Sequence, residues 1–298
     1  MEPTASEGGR EGPGRLDQVL VAQGFFSSRQ QAQQAILAGL VRLNGQKALR
    51  PGQRVPPGAE IQLEGQEHPY VSRGGLKLRR ALDVWSFLPV QGAVAMDVGA
   101  STGGFTDCLL QAGARQVWAV DVGYGQLAWK LRQDPRVVVR ERTNIRHFSE
   151  EGLPPFDLIT VDASFISVEL FLERLLHFLR PGGYLVVLVK PQFEAGRAQV
   201  GKKGVVKDPA VHARVLEKVT LSALASGARF CGVTYSPVKG PAGNIEFLLC
   251  LQRPAEAGGP GPVQASPYAP EITQAIQAAV AEAHQVLDGS GPQNGRRR

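Results

Sequence analysis

The sequence predicts an α/β protein in which a seven-stranded, doubly wound sheet domain follows a small α+β unit. Two observations lead to this prediction. Between residues 92 and 252, short apolar runs typical of buried strands alternate with segments of helical periodicity. Ahead of that region, about fifty residues have the pattern of two short helices and a hairpin. The 298 residues of the chain are enough for one large and one small domain.

The small unit is expected over residues 15–65. Apolar residues at helical spacing predict a first helix over 16–23. Ser27 or Ser28 is suited to cap a second helix, which Gly39 ends. The Asn-Gly pair after the next apolar run is a strong hairpin signal.

The positive charge of the chain is concentrated near its N-terminus. Residues 15–80 hold ten Lys and Arg against four acids, a difference that equals the net charge of +6 for the whole chain. A polyanionic partner explains such an excess, and so does a solvated basic face. Charge alone leaves both interpretations open.

The large domain is expected over 73–253, after a linker at 66–72. Its predicted strands are 93–98, 116–121, 136–140, 156–162, 184–190, 229–236 and 244–251. Its predicted helices lie near 104–112, 125–133, 167–179 and 209–226. Right-handed crossovers make the first five strands parallel, and the short connection between the last two makes one of them antiparallel.

Both ends of the chain have the composition of disordered segments. Residues 1–14 form a polar tail, and residues 254–298 form a Pro/Gly-rich, partly disordered extension. Within that extension, residues 271–287 are compatible with an alanine-rich helix. The extension therefore suggests a mostly mobile appendage.

Composition also narrows the function classes. No apolar run approaches the roughly 20 residues that span a bilayer, and the first residues lack the apolar core of a secretory signal. The three cysteines lack metal-ligand spacing and indicate a reducing compartment. We therefore expect a cytoplasmic protein with no metal site and no membrane partner.

Residues 95–106 read A-M-D-V-G-A-S-T-G-G-F-T, a strand followed by a glycine-rich turn and a helix start. This pattern predicts a nucleotide-binding edge. A carboxylate at the strand tip repels a pyrophosphate but suits a cationic ligand such as S-adenosylmethionine. The predicted cofactor-binding residues of this stretch are Asp97, Gly99, Ser101, Gly103, Gly104 and Phe105.

Two further residues complete the predicted cofactor site. Asp121 ends the second strand, 17 residues beyond Gly104, where a tip carboxylate takes the ribose hydroxyls of a bound nucleotide. Alone it would be equally typical of a strand-end turn. Asn144, after the third strand, is placed to contact adenine.

Four charged residues are predicted to handle the methyl acceptor: Lys77, Asp162, Lys190 and Glu246. Asp162 and Lys190 end neighbouring strands at the same edge as the glycine turn. The fourth strand lacks the Asn-Pro-Pro-Tyr text of amine methylation, and no cysteine lies near its tip for attack on a pyrimidine. The alternative to catalysis is a structural ion pair between Lys190 and Asp162.

The role of Lys190 stays open at this level. If the methyl acceptor is a hydroxyl group, a neutral Lys190 amine would accept its proton, whereas a charged one would orient its oxygen. The basic loop that follows, residues 195–208, contains Lys202 and Lys203. It is expected to close over RNA phosphate, and an ordinary surface loop is an equal alternative.

The first unit resembles the S4 domain, an RNA-binding module. The resemblance rests on R-L-D, S-R-Q-Q-A, G-L-V-R-L-N-G and P-G-Q-R-V within residues 15–64. It implies RNA contact through the first two helices. The predicted RNA-binding residues are Arg15, Arg29 and Arg42, with Lys202 and Lys203 from the later loop.

The Lys–Asp–Lys–Glu order resembles the tetrad of FtsJ-type ribose 2′-O-methyltransferases. With the S4-like unit in front, the chain is identified as a member of the TlyA family through S-R-G-G-L-K-L, V-D-A-S-F-I-S, V-K-P-Q-F-E and G-N-I-E-F. The resemblance implies methylation of cytidine ribose in ribosomal RNA with S-adenosylmethionine as cofactor. Two alternatives are a haemolysin-like, membrane-active protein and an RNA-binding protein with an inactive methyltransferase domain. The oligomeric state is not predicted.

Overall fold

The structure, a computed structural model, describes residues 14–23, 25–26, 28–56, 58–63, 68–149, 151–255 and 270–289. The chain forms two compact units. The first comprises the residues up to Pro69 together with Ala128–Lys130, and the second comprises the rest.

The first unit contains two helices and a three-stranded antiparallel sheet. Their bounds are α1 Leu16–Ala22, α2 Arg29–Leu37, β1 Val41–Leu43, β2 Gln46–Lys47 and β3 Ile61–Leu63, and the sheet order is β2-β1-β3. Ser28 caps α2 by accepting a hydrogen bond from the backbone of Gln31. Ser27, the other predicted cap, lies outside the described residues.

A small apolar core holds this unit together. Leu16 and Leu20 of α1 pack with Ile36 of α2 and Val41 of β1, and all four are fully buried. They are the apolar residues whose spacing predicts the two helices and the strand. The connection between β1 and β2 is the predicted Asn-Gly pair, with Asn44 at φ 51°.

The second unit is built on a seven-stranded sheet. Its strands are β4 Val94–Val98, β5 Gln116–Val120, β6 Val137–Arg140, β7 Phe156–Val161, β8 Leu179–Val189, β9 Arg229–Tyr235 and β10 Phe247–Gln252. Its helices are α3 Gly74–Val84, α4 Gly104–Gln111, α5 Trp129–Arg132, α6 Leu172–Phe178, α7 Pro191–Glu194, α8 Pro209–Ala225 and α9 Pro270–Asp288.

The order of the strands is β6-β5-β4-β7-β8-β10-β9. The first five strands in sequence pair in parallel, and β10 runs antiparallel to both β8 and β9. This confirms the predicted sheet. Because β4 and β7 are neighbours and β8 follows, the carboxyl ends of these three strands meet at one edge.

Helix α3 was not predicted, because two glycines at its start disfavour a helix in isolation. The structure shows why they are needed. A Cβ on Gly75 would lie 2.2 Å from the ring of Tyr70. A Cβ on Gly104, at the start of α4, would lie 2.3 Å from Ser72 Oγ and 2.8 Å from the Gly75 nitrogen. Small residues therefore let the first turns of α3 and α4 approach each other closely.

The alanine-rich helix predicted in the C-terminal extension is present, but it packs on the sheet domain and is not part of a mobile appendage. Residues 270–288 form α9, whose apolar stripe of Ile276, Ala279, Val280 and Ala283 is buried and joins the core of the sheet domain. The Pro/Gly-rich composition on either side obscured this stripe. Residues 256–269 and 290–298 lie outside the described part of the chain.

Candidate active site

A cavity of about 650 Å³ opens at the carboxyl edge of β4 and β7. Its wall includes all four charged residues singled out from the sequence, Lys77, Asp162, Lys190 and Glu246. The same wall includes four residues of the predicted cofactor turn, Gly99, Ser101, Gly104 and Phe105. The structure therefore brings the two predicted sites together in one cavity.

Lys77 and Glu246 form one buried ion pair of this cavity. Lys77 extends from the first turns of α3, and its Nζ lies 2.6 Å from Glu246 Oε2. Glu246 is 1% exposed, and its other oxygen, Oε1, accepts no hydrogen bond from the described residues. Only a glycine fits at position 240, since a Cβ there would lie 2.4 Å from Oε1. The pair thus has one buried carboxylate oxygen without a hydrogen-bond donor among the described residues.

Lys190 and Asp162 form the second pair. Lys190 follows β8 at the start of α7, and its Nζ lies 2.5 Å from Asp162 Oδ1. It also donates to Ser164 Oγ at 2.8 Å and, more weakly, to the backbone oxygen of Asp162 at 3.4 Å. Three acceptors around one nitrogen match the three N–H donors of a charged ammonium. The ammonium group is therefore fixed beside the cavity, and an incoming oxygen atom would replace its weak contact with the backbone oxygen of Asp162.

Asp97 does not occupy the position that the sequence suggested. It is fully buried and is absent from the cavity wall. Its Oδ2 accepts hydrogen bonds from the backbone nitrogen and the hydroxyl of Thr106 at 2.9 and 2.7 Å, and Thr160 donates to Oδ1 at 3.3 Å. Burial raises the pKa of Asp97 to about 7. Its observed partners therefore tie β4 to α4 and β7, and its contact with the cofactor stays a prediction.

Asp121 and Asn144 also have local partners. The two carboxylate oxygens of Asp121 accept from the backbone nitrogens of Ser101 at 2.7 Å and Gly123 at 2.6 Å. Asn144 is exposed and caps a short 3₁₀ turn by accepting from the Arg146 nitrogen. Neither residue is part of the cavity wall, so their contacts with a cofactor stay predictions.

Comparison with known proteins identifies the family. Residues 70–253 match the FtsJ-like methyltransferase family, and residues 14–61 match the S4 domain. The chain belongs to the FtsJ-like methyltransferases. Its relatives include YqxC of Bacillus subtilis, which is 47% identical over 92% of this chain and 95% of that protein. They also include the 16S/23S rRNA (cytidine-2′-O)-methyltransferase TlyA of Mycobacterium tuberculosis, 46% identical over 80% of this chain and 89% of that protein.

A solved structure from Streptococcus thermophilus, named as a hemolysin, superposes with a TM-score of 0.69 at 42% identity. It covers 93% of this chain and 98% of its own. No helix among the described residues of the present protein is both long enough and apolar enough to cross a membrane.

As an FtsJ-like methyltransferase, the protein uses S-adenosylmethionine as its cofactor. The residues present fit this molecule. The cavity volume is in the range of small-molecule sites, and its wall contains the main chain of a glycine turn. The carboxylates of Asp162 and Glu246 lie in the same wall, but each is paired with a lysine, so the fit depends on the volume and on the glycine turn.

Several non-glycine residues with positive φ lie at this edge of the methyltransferase. In the described part of the second unit, the non-glycine residues with positive φ are Ser101, Arg142 and Phe165, at 48°, 53° and 65°. They follow β4, β6 and β7. Phe165 is 89% exposed and lies in the cavity wall, with its ring centroid 5.1 Å from that of Phe193. Sequence reasoning missed this aromatic pair, because an apolar residue beside a strand tip is ordinarily core.

Two of the predicted RNA-binding residues share one buried carboxylate. Asp17, fully buried, accepts from Arg15 at 3.1 Å, from Arg29 at 2.8 Å and from Gln33 at 2.8 Å. The Arg15 guanidinium holds the pKa of Asp17 well below its usual range. Both arginine side chains are about half exposed, at 46% and 50%. Asp17 therefore fixes their direction while leaving them accessible.

The other predicted RNA contacts are also surface residues. Arg42 donates to the backbone oxygen of Gly45 at 2.6 Å. Lys202 and Lys203 are exposed in the basic loop. The end of that loop is anchored, because Val206 is buried and its nitrogen donates to the Asn244 side chain at 2.9 Å. Any closure over RNA would involve the part of the loop that precedes this anchor.

A chain of polar side chains that sequence reasoning missed supports the cavity wall. His212 contacts the backbone oxygen of Val206 at 3.1 Å and His284 at 3.0 Å. His284 reaches Asp288 at 2.9 Å, and Asp288 pairs at 2.7 Å with Lys239, a residue of the cavity wall. Burial, together with His284, lowers the pKa of His212 to about 4. Only α9, whose packing was not predicted, brings these side chains together.

Proposed function

We propose that this protein methylates the ribose 2′-hydroxyl of cytidine in ribosomal RNA. The observation that carries the proposal is the presence of both lysine–carboxylate pairs and the glycine turn in one cavity. A hydroxyl acceptor suits this site, since each pair offers polar atoms and the described residues near β7 include no cysteine nucleophile. The relatives named as rRNA (cytidine-2′-O)-methyltransferases support the base and the RNA class.

The cofactor supplies a methyl group on a positively charged sulfur. Ser101, Gly104 and the main chain between them would bind the cofactor, and Asp121 would accept hydrogen bonds from its ribose hydroxyls. Asn144 would contact its adenine, and Asp97 would act only through the position of α4. These assignments extend the turn geometry to its expected ligand.

Lys190 orients the attacking 2′-oxygen in this proposal. Its ammonium group is fixed by Asp162 and Ser164, so an oxygen that it contacts is held in one position. Glu246 Oε1, the unused acceptor, takes the hydrogen of the hydroxyl, while Lys77 holds the other carboxylate oxygen. The proton leaves toward this carboxylate as the new bond forms. Positioning of this kind supplies a large part of the rate enhancement for transfer between two bound reactants.

RNA would be bound by residues of both units. We assign Arg15, Arg29 and Arg42 of the S4 domain and Lys202 and Lys203 of the basic loop to phosphate contacts. Structured ribosomal RNA or a ribosomal subunit is the proposed partner, and the cytoplasm is the proposed location. Phe165 is exposed at the cavity and is suited to stack on the target base after that base has left the RNA helix.

The proposal is tested by labelled methyl transfer to intact 30S subunits, intact 50S subunits, bare rRNA and tRNA. Alkaline hydrolysis of the product then locates the modification, because a 2′-O-methyl group blocks cleavage at its own position. We expect one band, at a cytidine, to be missing from the ladder of hydrolysis products. With Lys190→Ala the RNA should stay unmethylated, and that band should be present. A methylated RNA that gives every band of the ladder contradicts methylation of a ribose 2′-hydroxyl. Cofactor binding without transfer to any of these RNAs supports the alternative of an inactive methyltransferase domain.

A further inference from the structure

A second cavity lies beside the catalytic one, with a volume of about 460 Å³. Phe165, Gln192 and Phe193 line both cavities. The second one continues over Ile166 and Val200 to Arg197. The two cavities therefore share a wall that includes the aromatic pair. Part of the second cavity is formed by the basic loop at 195–208, but the aromatic pair and Gln192 were not among the predicted site residues.

Its chemistry is that of a nucleobase site. Phe165 and Phe193 supply aromatic faces, and Gln192 supplies an amide whose oxygen is buried without a hydrogen-bond partner in the described part of the chain. Aromatic side chains stack on unpaired bases, and an amide can donate to or accept from a base edge. Among the residues that the structure describes, Arg197 is the only charged residue in the wall, and it is exposed. A single cation at the rim is suited to a phosphodiester.

The backbone at Phe165 also points to a ligand. A phenylalanine at φ 65° occupies a sparsely populated, strained backbone conformation. This strain yields no buried ring, since the side chain is 89% exposed. It holds the ring at the boundary between the two cavities instead.

We propose that the second cavity binds the nucleobase next to the target nucleotide, with Phe165 and Phe193 between the two bases. This inference rests on the proposed function, because the first cavity must hold the target nucleotide. The neighbouring base stacks on the aromatic pair, Gln192 contacts its edge, and Arg197 contacts the linking phosphate. Because the cavity lies on one side of the target site, it accepts a neighbour from one side of the cytidine only.

The test is a ligand-observed NMR titration of the full-length protein in the presence of S-adenosylhomocysteine. The probes are cytidine monophosphate and the dinucleotides CpU and UpC, which place the additional base on opposite sides. One dinucleotide should bind at least about fivefold more tightly than the mononucleotide, as expected for one stacked base. Arg197→Gln and Phe193→Leu should remove most of this gain, and Arg197→Gln should leave unchanged the binding of cytidine, which carries no phosphate. The exposed Arg229, outside both cavities, provides a matched control as Arg229→Gln.

Two outcomes overturn the inference while the proposed function stands. In the first, the mononucleotide binds but neither dinucleotide binds more tightly. In the second, both dinucleotides gain equally, or the gain persists in both variants, which indicates contact with phosphate elsewhere. If neither the mononucleotide nor the dinucleotides bind and no RNA is methylated, the proposed function itself fails, and the neighbouring site fails with it.

Discussion

Replacing Asp97 by asparagine distinguishes a buried structural carboxylate from one that contacts the cofactor. Asparagine keeps the size of the side chain and one carbonyl oxygen for the hydrogen bonds from Thr106. Its amide group can donate to Thr160, whose hydroxyl is also an acceptor. The substitution therefore removes the ability to ionise while preserving each observed contact.

The expected effect on stability follows from the pKa of Asp97. Burial raises it from an ordinary value of 3.8 to about 7, so the folded state binds the proton more tightly than the unfolded state. Stability from this group is complete below pH 4 and is lost as the pH rises toward 7, a change of about 4 kcal/mol. Asp97→Asn does not titrate. The free energy of unfolding of the variant minus that of the wild type should therefore increase by about 4 kcal/mol between pH 4 and pH 8.

Urea unfolding of both proteins at several pH values measures this difference, and calorimetry at pH 7.5 measures S-adenosylmethionine affinity. We expect the affinity to change less than about threefold, because Asp97 is absent from the cavity wall. Asp134→Asn is a useful control, since Arg136 lowers the pKa of Asp134 and its effect should have the opposite sign. An affinity loss of tenfold or more, with no difference in pH dependence, would refute the reasoning and return Asp97 to the cofactor.

Three further substitutions test other parts of the structure. Glu246→Gln should lower kcat about 100-fold or more with cofactor affinity unchanged, since the oriented acceptor and the partner of a buried cation are both lost; normal turnover would contradict that role. Asp17→Asn should weaken RNA binding about fivefold, measured by fluorescence anisotropy, because the two arginines lose their shared anchor; Gln33→Ala is the control and should have little effect. His212 has a pKa of about 4, below its ordinary 6.5, so its contribution to wild-type stability should fall by about 3 kcal/mol as the pH drops through that window, opposite in sign to the contribution of Asp97. His212→Gln should lack this part of the pH dependence in urea unfolding, and identical pH profiles would show that His212 is not the group responsible.

Most elements of the fold can be predicted from local sequence patterns. Each strand of the large sheet is an apolar run, and most helices begin or end at a capping residue or a glycine. The exceptions are elements whose stability depends on distant partners. Helix α3 begins with two glycines, of which Gly75 must be small because Tyr70 packs against it, and α9 is flanked by segments of disordered composition. In both, tertiary packing outweighs local composition.

The candidate site divides in the same way. Residues at strand ends, such as Asp162 and Lys190, could be placed together because parallel strands end at one edge. The burial of Asp97 could not be predicted, since it depends on the side chains of Thr106 and Thr160 closing over it. The aromatic pair of Phe165 and Phe193 was equally hidden, because an exposed phenylalanine has the same sequence pattern as a buried one.

The two ion pairs constrain how the hydroxyl proton is handled. With both lysines charged, the two carboxylates balance them and the tetrad has no net charge. Removing the proton of Lys190 would leave Asp162 beside a neutral amine in a largely buried site, where an unpaired charge is costly. Keeping that proton on Lys190 leaves both pairs intact until the hydroxyl proton departs, when its transfer to Glu246 Oε1 neutralises the partner of Lys77. The geometry thus favours a site that fixes the oxygen and lets the proton depart late, because a methyl group bound to a positive sulfur needs a well-placed nucleophile more than a strongly basic one.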